Sequence, residues 1–362
     1  MNQPSSATIS TRSTVRAGGA GGRAKGLRSL TTRGRSGPSS LPRVTELFSG
    51  AGLLGHAFAG QSFFLDRAVE LDPLAAQTYA HNLGPHVEVA DVRACVPSAV
   101  CDVLVAGPPC QGFSTLGKRN PDDPRNFLSL EVVRWAAVSR PKVVVVENVA
   151  AFLEAPVWGQ LVAGLERLGY ETGVVVLDAA RFGVAQRRLR SFTFASLVGL
   201  PHVVEPDLAE EVTVRAAWAG LPTSPDGKNL HVAPTPTPLA RARIEAVPIG
   251  GSRRDILESA PHLAAPSWWR LGTQAGDCWG RMLWDRPANT LRTCLQDPSK
   301  GRYLHPDQHR VITLREAARI HSVDDSWHFV GPALRVARQI GNSVPPALGS
   351  AVARAVAQQL RA

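Results

Sequence analysis

Nowhere in these 362 residues is there a run of about eighteen apolar residues, the length a membrane-crossing helix needs, nor an apolar core of the kind a secretory signal carries. Cysteine is scarce and odd in number, at Cys95, Cys101, Cys110, Cys278 and Cys294, and no pair has Cys-x-x-Cys spacing. That argues against a disulfide frame and a zinc site, and it fits a reducing compartment such as the cytoplasm. No metal is expected. Lysine is rare beside arginine, 5 against 35, which together with much alanine and glycine points to GC-rich coding and a bacterial source. Acidic residues are missing from 1–43, a stretch with eight basic ones. It accounts for most of the net charge of +10 and leaves the remainder at +2, so overall charge says little about the folded part. Internal repeats are absent as well.

Residues 1–41 are Gly, Ser, Thr and Arg with little to bury, and read as a disordered basic arm. Three uses stay open for it: tracking DNA phosphates, an organellar transit peptide weakened by its glycines, or a solvated extension. From Val44 strands alternate with helices. Strands are expected at Val44–Phe48, up to Glu70, Val87–Val89, Asp102–Ala106, Val143–Val146, Gly173–Leu177 and Ser191–Ala195. Helices are expected from Gly52 to about Ala59, after Asp72-Pro73, over Phe127–Ser139 and over Val157–Leu168. This alternation predicts an α/β fold with a doubly wound, mostly parallel sheet. After Ala195 the alternation breaks into a proline-rich region without a basic patch, and order returns near Leu304 with a capping box at Thr313 and Glu316.

Four stretches carry chemistry. In Val105–Ser114, a short apolar strand is stopped by Gly107-Pro-Pro109, which leaves Cys110 at the tip of a strand on a stiffened loop. There it is either a nucleophile or a small buried hydrophobe. Gly50-Ala-Gly52-Leu-Leu-Gly55, with Glu70 twenty residues after Gly50, fits a nucleotide-type cofactor site or simply a tight strand-to-helix turn. Glu147-Asn148 ends a valine strand on the same expected sheet edge as Cys110. Gln186, Arg188 and Arg190 have two-residue spacing, which on a strand puts both arginines on one side.

Pro-Pro-Cys110-Gln-Gly-Phe-Ser, Glu46-Leu-Phe-Ser-Gly-Ala-Gly52, Glu147-Asn-Val, Gln186-x-Arg-x-Arg190 and Gln339-Ile-Gly-Asn-Ser-Val-Pro-Pro346 resemble, in order, the blocks of the DNA cytosine-5 methyltransferases. The resemblance covers about 44–195 and 280–362. Departures are Leu53 where the family has a second glycine, Ala185 for its proline, and Val323-Asp-Asp for Phe-Pro-Asp. It implies a class I S-adenosylmethionine-dependent methyltransferase, a Rossmann-like fold with a smaller inserted target-recognition domain: catalytic parts at 42–195 and 306–362, recognition at 196–305. It implies a methyl transfer from S-adenosylmethionine to C5 of a flipped-out cytosine in duplex DNA, through a covalent adduct of Cys110 at C6.

By the same resemblance Glu147, Arg188 and Arg190 join Cys110 in catalysis. Phe48, Gly50, Gly52, Glu70, Asp91, Pro109, Asn342 and Ser343 face the cofactor. Gln111, Ser114 and Gln186 face nucleic acid. In the recognition region Val247–Asp255 is the expected base-reading loop, its Arg253 and Arg254 suited to guanine edges, and Trp268-Trp269 is either core or a stacking surface. A monomer is expected, modifying DNA in a restriction-modification system, with a cognate endonuclease acting on the same site without a stable complex. An NAD oxidoreductase would explain the glycines but none of the other blocks. A transfer-RNA-directed relative would carry Cys-Phe-Thr, which is not found, and a non-catalytic DNA-binding relative would lack Cys110 or Glu147.

Overall fold

The computed structural model describes residues 41–97, 99–109, 124–271, 274 and 276–362. The basic arm (but for its last residue) and the stretch holding Cys110, Gln111 and Ser114 lie outside the described residues. Seven strands form one sheet: β1 Arg43–Leu47, β2 Phe64–Glu70, β3 Val87–Val89, β4 Val103–Ala106, β5 Val143–Asn148, β6 Glu171–Asp178 and β7 Leu189–Ser196. Their order is β3-β2-β1-β4-β5-β7-β6. The pairings from β3 to β5 are parallel, and β7 runs antiparallel to both β5 and β6. All seven expected strands are present. The reversal follows from chain length: only ten residues separate Asp178 from Leu189, enough for a return between neighbours but short for a crossover helix.

Helices α1 Leu53–Ala59, α2 Pro73–Leu83, α3 Glu131–Ser139 and α4 Pro156–Arg167 alternate with the strands. Asp72 caps α2 by accepting from the Leu74 N–H, with Pro73 in the first turn, as the sequence predicts. The helix expected from Phe127 starts as a 3-10 turn over Pro124–Leu130, a common way for a helix to begin. Later come the short α5 Val214–Ala217, then α6 Pro238–Ala246, α7 Arg253–Ser259, α8 Pro266–Leu271, α9 Leu314–Ile320, α10 Ala333–Asn342 and α11 Pro346–Gln359.

The two-residue period of the central strands sorts their side chains between two cores. Val103, Val105, Val143 and Val145 meet Leu54 and Phe58 of α1 and Leu348, Val352 and Val356 of α11. Leu104, Ala106, Val144 and Val146 meet Trp135 of α3 and Leu161 and Leu165 of α4. Each of the buried Val, Leu and Phe side chains among them is worth about 1.5–3 kcal/mol. The terminal helix thus packs back on the central sheet, and Gly349 permits its close crossing: a Cβ there would lie 2.9 Å from Cβ of Ala57.

A third core gathers residues from 214–304 with α9, α10 and Ala51 and Leu53. The expected border at 305/306 therefore falls inside one continuous buried cluster, and residues 41–362 form a single compact unit. Regular structure is sparse here, and a buried guanidinium takes its place. Arg281 donates to the carbonyls of Ile244 and Val247 at the end of α6 and of His305 and Gln308 in a later loop, tying these segments together. The capping box at Thr313 and Glu316 is formed, and Arg310 holds the Glu316 carboxylate with two bonds.

Beneath the glycine turn lies one acid that the strand pattern would not place in a core. Glu46 alternates with Val44 toward α1, is buried, and accepts from the Gly55 N–H at 3.1 Å. Burial pushes its carboxyl from 4.5 up to about 8. The folded state then keeps a proton that the unfolded chain releases above pH 4.5, so stability present at low pH drains as pH rises toward 8. Urea unfolding of Glu46→Gln should show a shallower fall between pH 5 and pH 8 than the parent, and higher stability at pH 8. Equal slopes would mean that Glu46 is ionised in the fold.

Candidate active site

Five parallel strands, β1 to β5, end on one sheet edge, and the candidate residues follow from those ends. After β1 the chain winds through positive φ at Phe48 (56°), Gly50 (55°) and Gly52 (87°) before α1 begins at Leu53. At Phe48, a bulky residue, this backbone is strained, which is typical of a site rather than a spacer. Gly52 is doubly required, because a Cβ there would also sit 2.7 Å from the Tyr79 ring. Leu53, which stands where the family has glycine, is already helical and buried, so the departure leaves the turn intact. Over Gly50 a Cβ would meet nothing among the described residues within 4 Å, so the turn is open there.

Glu70, at the end of β2, joins this turn to the next. Its Oε2 accepts from Gly50 N–H at 2.7 Å and its Oε1 from Asp72 N–H at 2.8 Å, and burial raises its proton affinity. Asp91, just after β3, is held by Arg93 through paired bonds, and these keep its carboxyl below the usual range.

The second half of the edge lies across β4 and β5. Pro108 and Pro109 follow Gly107, and the Pro108 carbonyl accepts from Asn148 Nδ2 at 3.2 Å, which pins the start of the Cys110 segment to the end of β5. Glu147 is buried at that end, and Gly107 lies beside it, a Cβ there falling 3.6 Å from Glu147 Oε2. Because β7 runs the other way, it brings its first residues to the edge where β5 brings its last: Asn148 pairs Ser191, and Glu147 pairs Phe192. Arg190 Nε then lies 2.8 Å from Glu147 Oε1, both side chains almost wholly enclosed. Desolvation raises the Glu147 carboxyl above its ordinary value, against the opposing pull of Arg190 and Arg188.

The paired arginines do not act alike. Arg188 stands just before β7, is buried, and donates to the carbonyls of Leu291, Gly341 and Ser343. Gln186, expected to face nucleic acid, needs correction: it is fully buried, with Oε1 accepting from Leu291 N–H and Nε2 on His321 Nδ1. Arg253 needs the same correction, since its side chain is buried, with Nη2 on the Gln274 carbonyl and the guanidinium over the Trp268 ring. The end of the expected base-reading loop is helical instead, α7 opening at Arg253 with a capping box of Ser252 and Asp255. Arg254 remains exposed. Trp268 is core and Trp269 is 59% exposed.

Asn342 is exposed at the end of α10, next to a half-buried Ser343. Sequence reading gave no task of their own to three residues here: Glu46 and Gly341, which it met only as parts of blocks, and His321. Only Glu46 carries a local signal, an acid inside an apolar strand. Among the described residues no group of His, Cys, Asp and Glu is arranged to hold a metal, and no helix is long and apolar enough to cross a membrane.

The sheet order with its reversed strand, and a glycine turn joined to an acid on the next strand, define a class I, Rossmann-like methyltransferase fold. Among solved structures, a methyltransferase encoded within an Escherichia coli prophage superposes with a TM-score of 0.70 at 22% identity, over 89% of this chain and 100% of that one. The model of the C-5 cytosine-specific DNA methylases matches residues 42–358, and the chain belongs to that family. The Type II methyltransferase M1.HphI of Haemophilus parahaemolyticus is 33% identical over 333 residues, 86% of this chain and 85% of the relative. The Type II methylase M.HgiDII of Herpetosiphon aurantiacus is 29% identical over 86% of this chain and 94% of the relative.

Gly341 gives this site a direct test. A Cβ there would lie 2.5 Å from the backbone C of Arg292 and N of Thr293, so any side chain drives α10 away from that segment and strains the Arg188 bonds. Gly341→Ala should cost about 1–3 kcal/mol in urea unfolding. An unchanged midpoint would mean the two segments part freely.

Proposed function

We propose that this protein modifies duplex DNA as the methyltransferase of a restriction-modification system, taking the methyl group from S-adenosylmethionine. The observation that carries the reading is the buried Glu147–Arg190 pair, set beside the strand end that leads into Cys110. The Type II names of relatives that match along most of their length support the restriction-modification setting. Residues 42–195 and 306–362 are proposed as the catalytic part and 196–305 as the target-recognition part, with Arg254 left as a candidate for base contact.

The residues present suit the proposed cofactor. The turn at Phe48–Gly52 is open above Gly50, and Glu70 fixes it against the second strand end with a carboxylate suited to ribose hydroxyls. Asp91, Pro109, Asn342 and Ser343 complete the proposed set. S-adenosylmethionine supplies an electrophilic methyl group on a sulfonium. The chain's own residues have the harder task, because cytosine C5 is a poor nucleophile. In the proposed mechanism the Cys110 thiolate adds to C6, which makes the ring an enamine and activates C5. Glu147, whose proton affinity burial raises, is proposed to donate at N3, and Arg190 to hold the O2 carbonyl as charge develops there. Once C5 carries the methyl group, loss of its proton to water would restore the C5–C6 double bond and expel the Cys110 thiolate from C6. C6 is out of reach inside a stack, so the base must be flipped out, at a cost of a few kcal/mol. Gln111 and Ser114 are proposed to line the nucleic-acid side of that pocket.

The test is transfer of tritiated methyl groups from S-adenosylmethionine to cytosine-rich duplexes, with products mapped by bisulfite sequencing. The parent should label DNA at C5 within one sequence context, and Cys110→Ser should not. Glu147→Gln should slow transfer by about a hundredfold or more, the scale of a positioned general acid. Label entering transfer RNA and not DNA would overturn the reading.

A further inference from the structure

His321 stands in the interior, outside every block that the proposed mechanism uses, and its hydrogen bonds have a direction that one backbone group decides. The Leu291 N–H can only donate, so the Gln186 atom it meets at 2.9 Å is the amide oxygen. The Gln186 amide nitrogen is then the donor to His321 Nδ1 at 3.0 Å. Nδ1 accepts, so the imidazole proton is on Nε2, and it points at Ser343, 3.1 Å from both the carbonyl and Oγ. Ser343 Oγ in turn donates to the Ile340 carbonyl at 2.8 Å. Complete burial, with Arg188 and Arg190 nearby, keeps the ring neutral, which agrees with this tautomer. The relay therefore runs one way, from the backbone at Leu291 through two side chains to the turn at Asn342–Ser343.

Arg188 reaches the same turn from the side through the Gly341 and Ser343 carbonyls, but its bonds do not distinguish one rotation of Ser343 from another as His321 does by meeting two of its atoms. We propose that His321, oriented by Gln186, is a positioning residue that holds the Asn342–Ser343 turn in the shape that receives S-adenosylmethionine. The inference rests on the cofactor reading above. It assigns a task to a residue in the segment where this chain departs from its family, next to Val323-Asp-Asp.

A carboxamide offers an acceptor and a donor side by side, as the imidazole does, so His321→Gln can keep both bonds, whereas His321→Leu keeps neither. Gln186→Leu breaks the relay at its other end. Steady-state transfer to duplex DNA would be measured for the three full-length variants, with direct S-adenosylmethionine binding by calorimetry and thermal melting in parallel. His321→Leu and Gln186→Leu should each raise KM for S-adenosylmethionine about tenfold, the scale of one lost buried hydrogen bond. Their kcat should change less than threefold, and His321→Gln should stay within about twofold of the parent in both. If His321→Leu does not fold, the other two variants decide. Lower melting temperatures with an unchanged KM would show a merely structural role and overturn the proposal, as would a His321→Gln KM raised about tenfold. Failure of the parent itself to bind S-adenosylmethionine would instead overturn the cofactor reading.

Discussion

Arg188 holds together parts of the chain that lie more than a hundred residues apart. Its guanidinium is buried and donates to backbone carbonyls, one from Leu291 and two, those of Gly341 and Ser343, at the end of α10, while its own backbone N–H is taken by Asp178. A buried guanidinium is costly unless its donors are met, so the three segments must come to it together or not at all. Gly341 completes the junction by allowing backbone against backbone. Much of the site depends on this meeting: the turn at Asn342–Ser343, the relay through Gln186 and His321, and the start of β7 that brings Arg190 to Glu147.

Electrostatics along the sheet edge repeats one device with different outcomes. Glu46, Glu70 and Glu147 all end or flank strands on the edge, and burial raises the proton affinity of each. What differs is the partner. Glu70 is met by two backbone N–H groups and serves as a link between turns, Glu147 is met by a guanidinium and has Gly107 beside it, and Glu46 has the Gly55 N–H in a closed interior. Neighbours rather than residue type separate a structural acid from one able to give up a proton.

Most of the fold was legible in the sequence, because a parallel sheet writes itself in short apolar runs that alternate with capped helices. Val143–Val146 reads as a buried strand and is one; Asp72-Pro73 and Thr313–Glu316 read as caps and are. The site was legible as far as its motifs sit at strand ends, where position follows from topology. Arg188 and Arg190 show where that stops. Even spacing suggested a shared role, yet one is sealed against carbonyls and the other faces Glu147, because the strand begins between them. Gln186 and Arg253, both polar and both expected at a nucleic-acid surface, are instead enclosed.

What the sequence determined by itself is local in its physics: strand and helix through hydrophobic period, turns through glycine and proline, caps through side chains a few residues away, and family membership through blocks kept in order. Tertiary structure alone decided which polar groups face inward. His321 carries no mark in the sequence just past α9, and only the arrival of Gln186 on one side and Ser343 on the other gives its two nitrogens distinct tasks. Burial and hydrogen-bond direction belong to sets of residues brought together from far along the chain, and a reading of neighbours in sequence has no access to them.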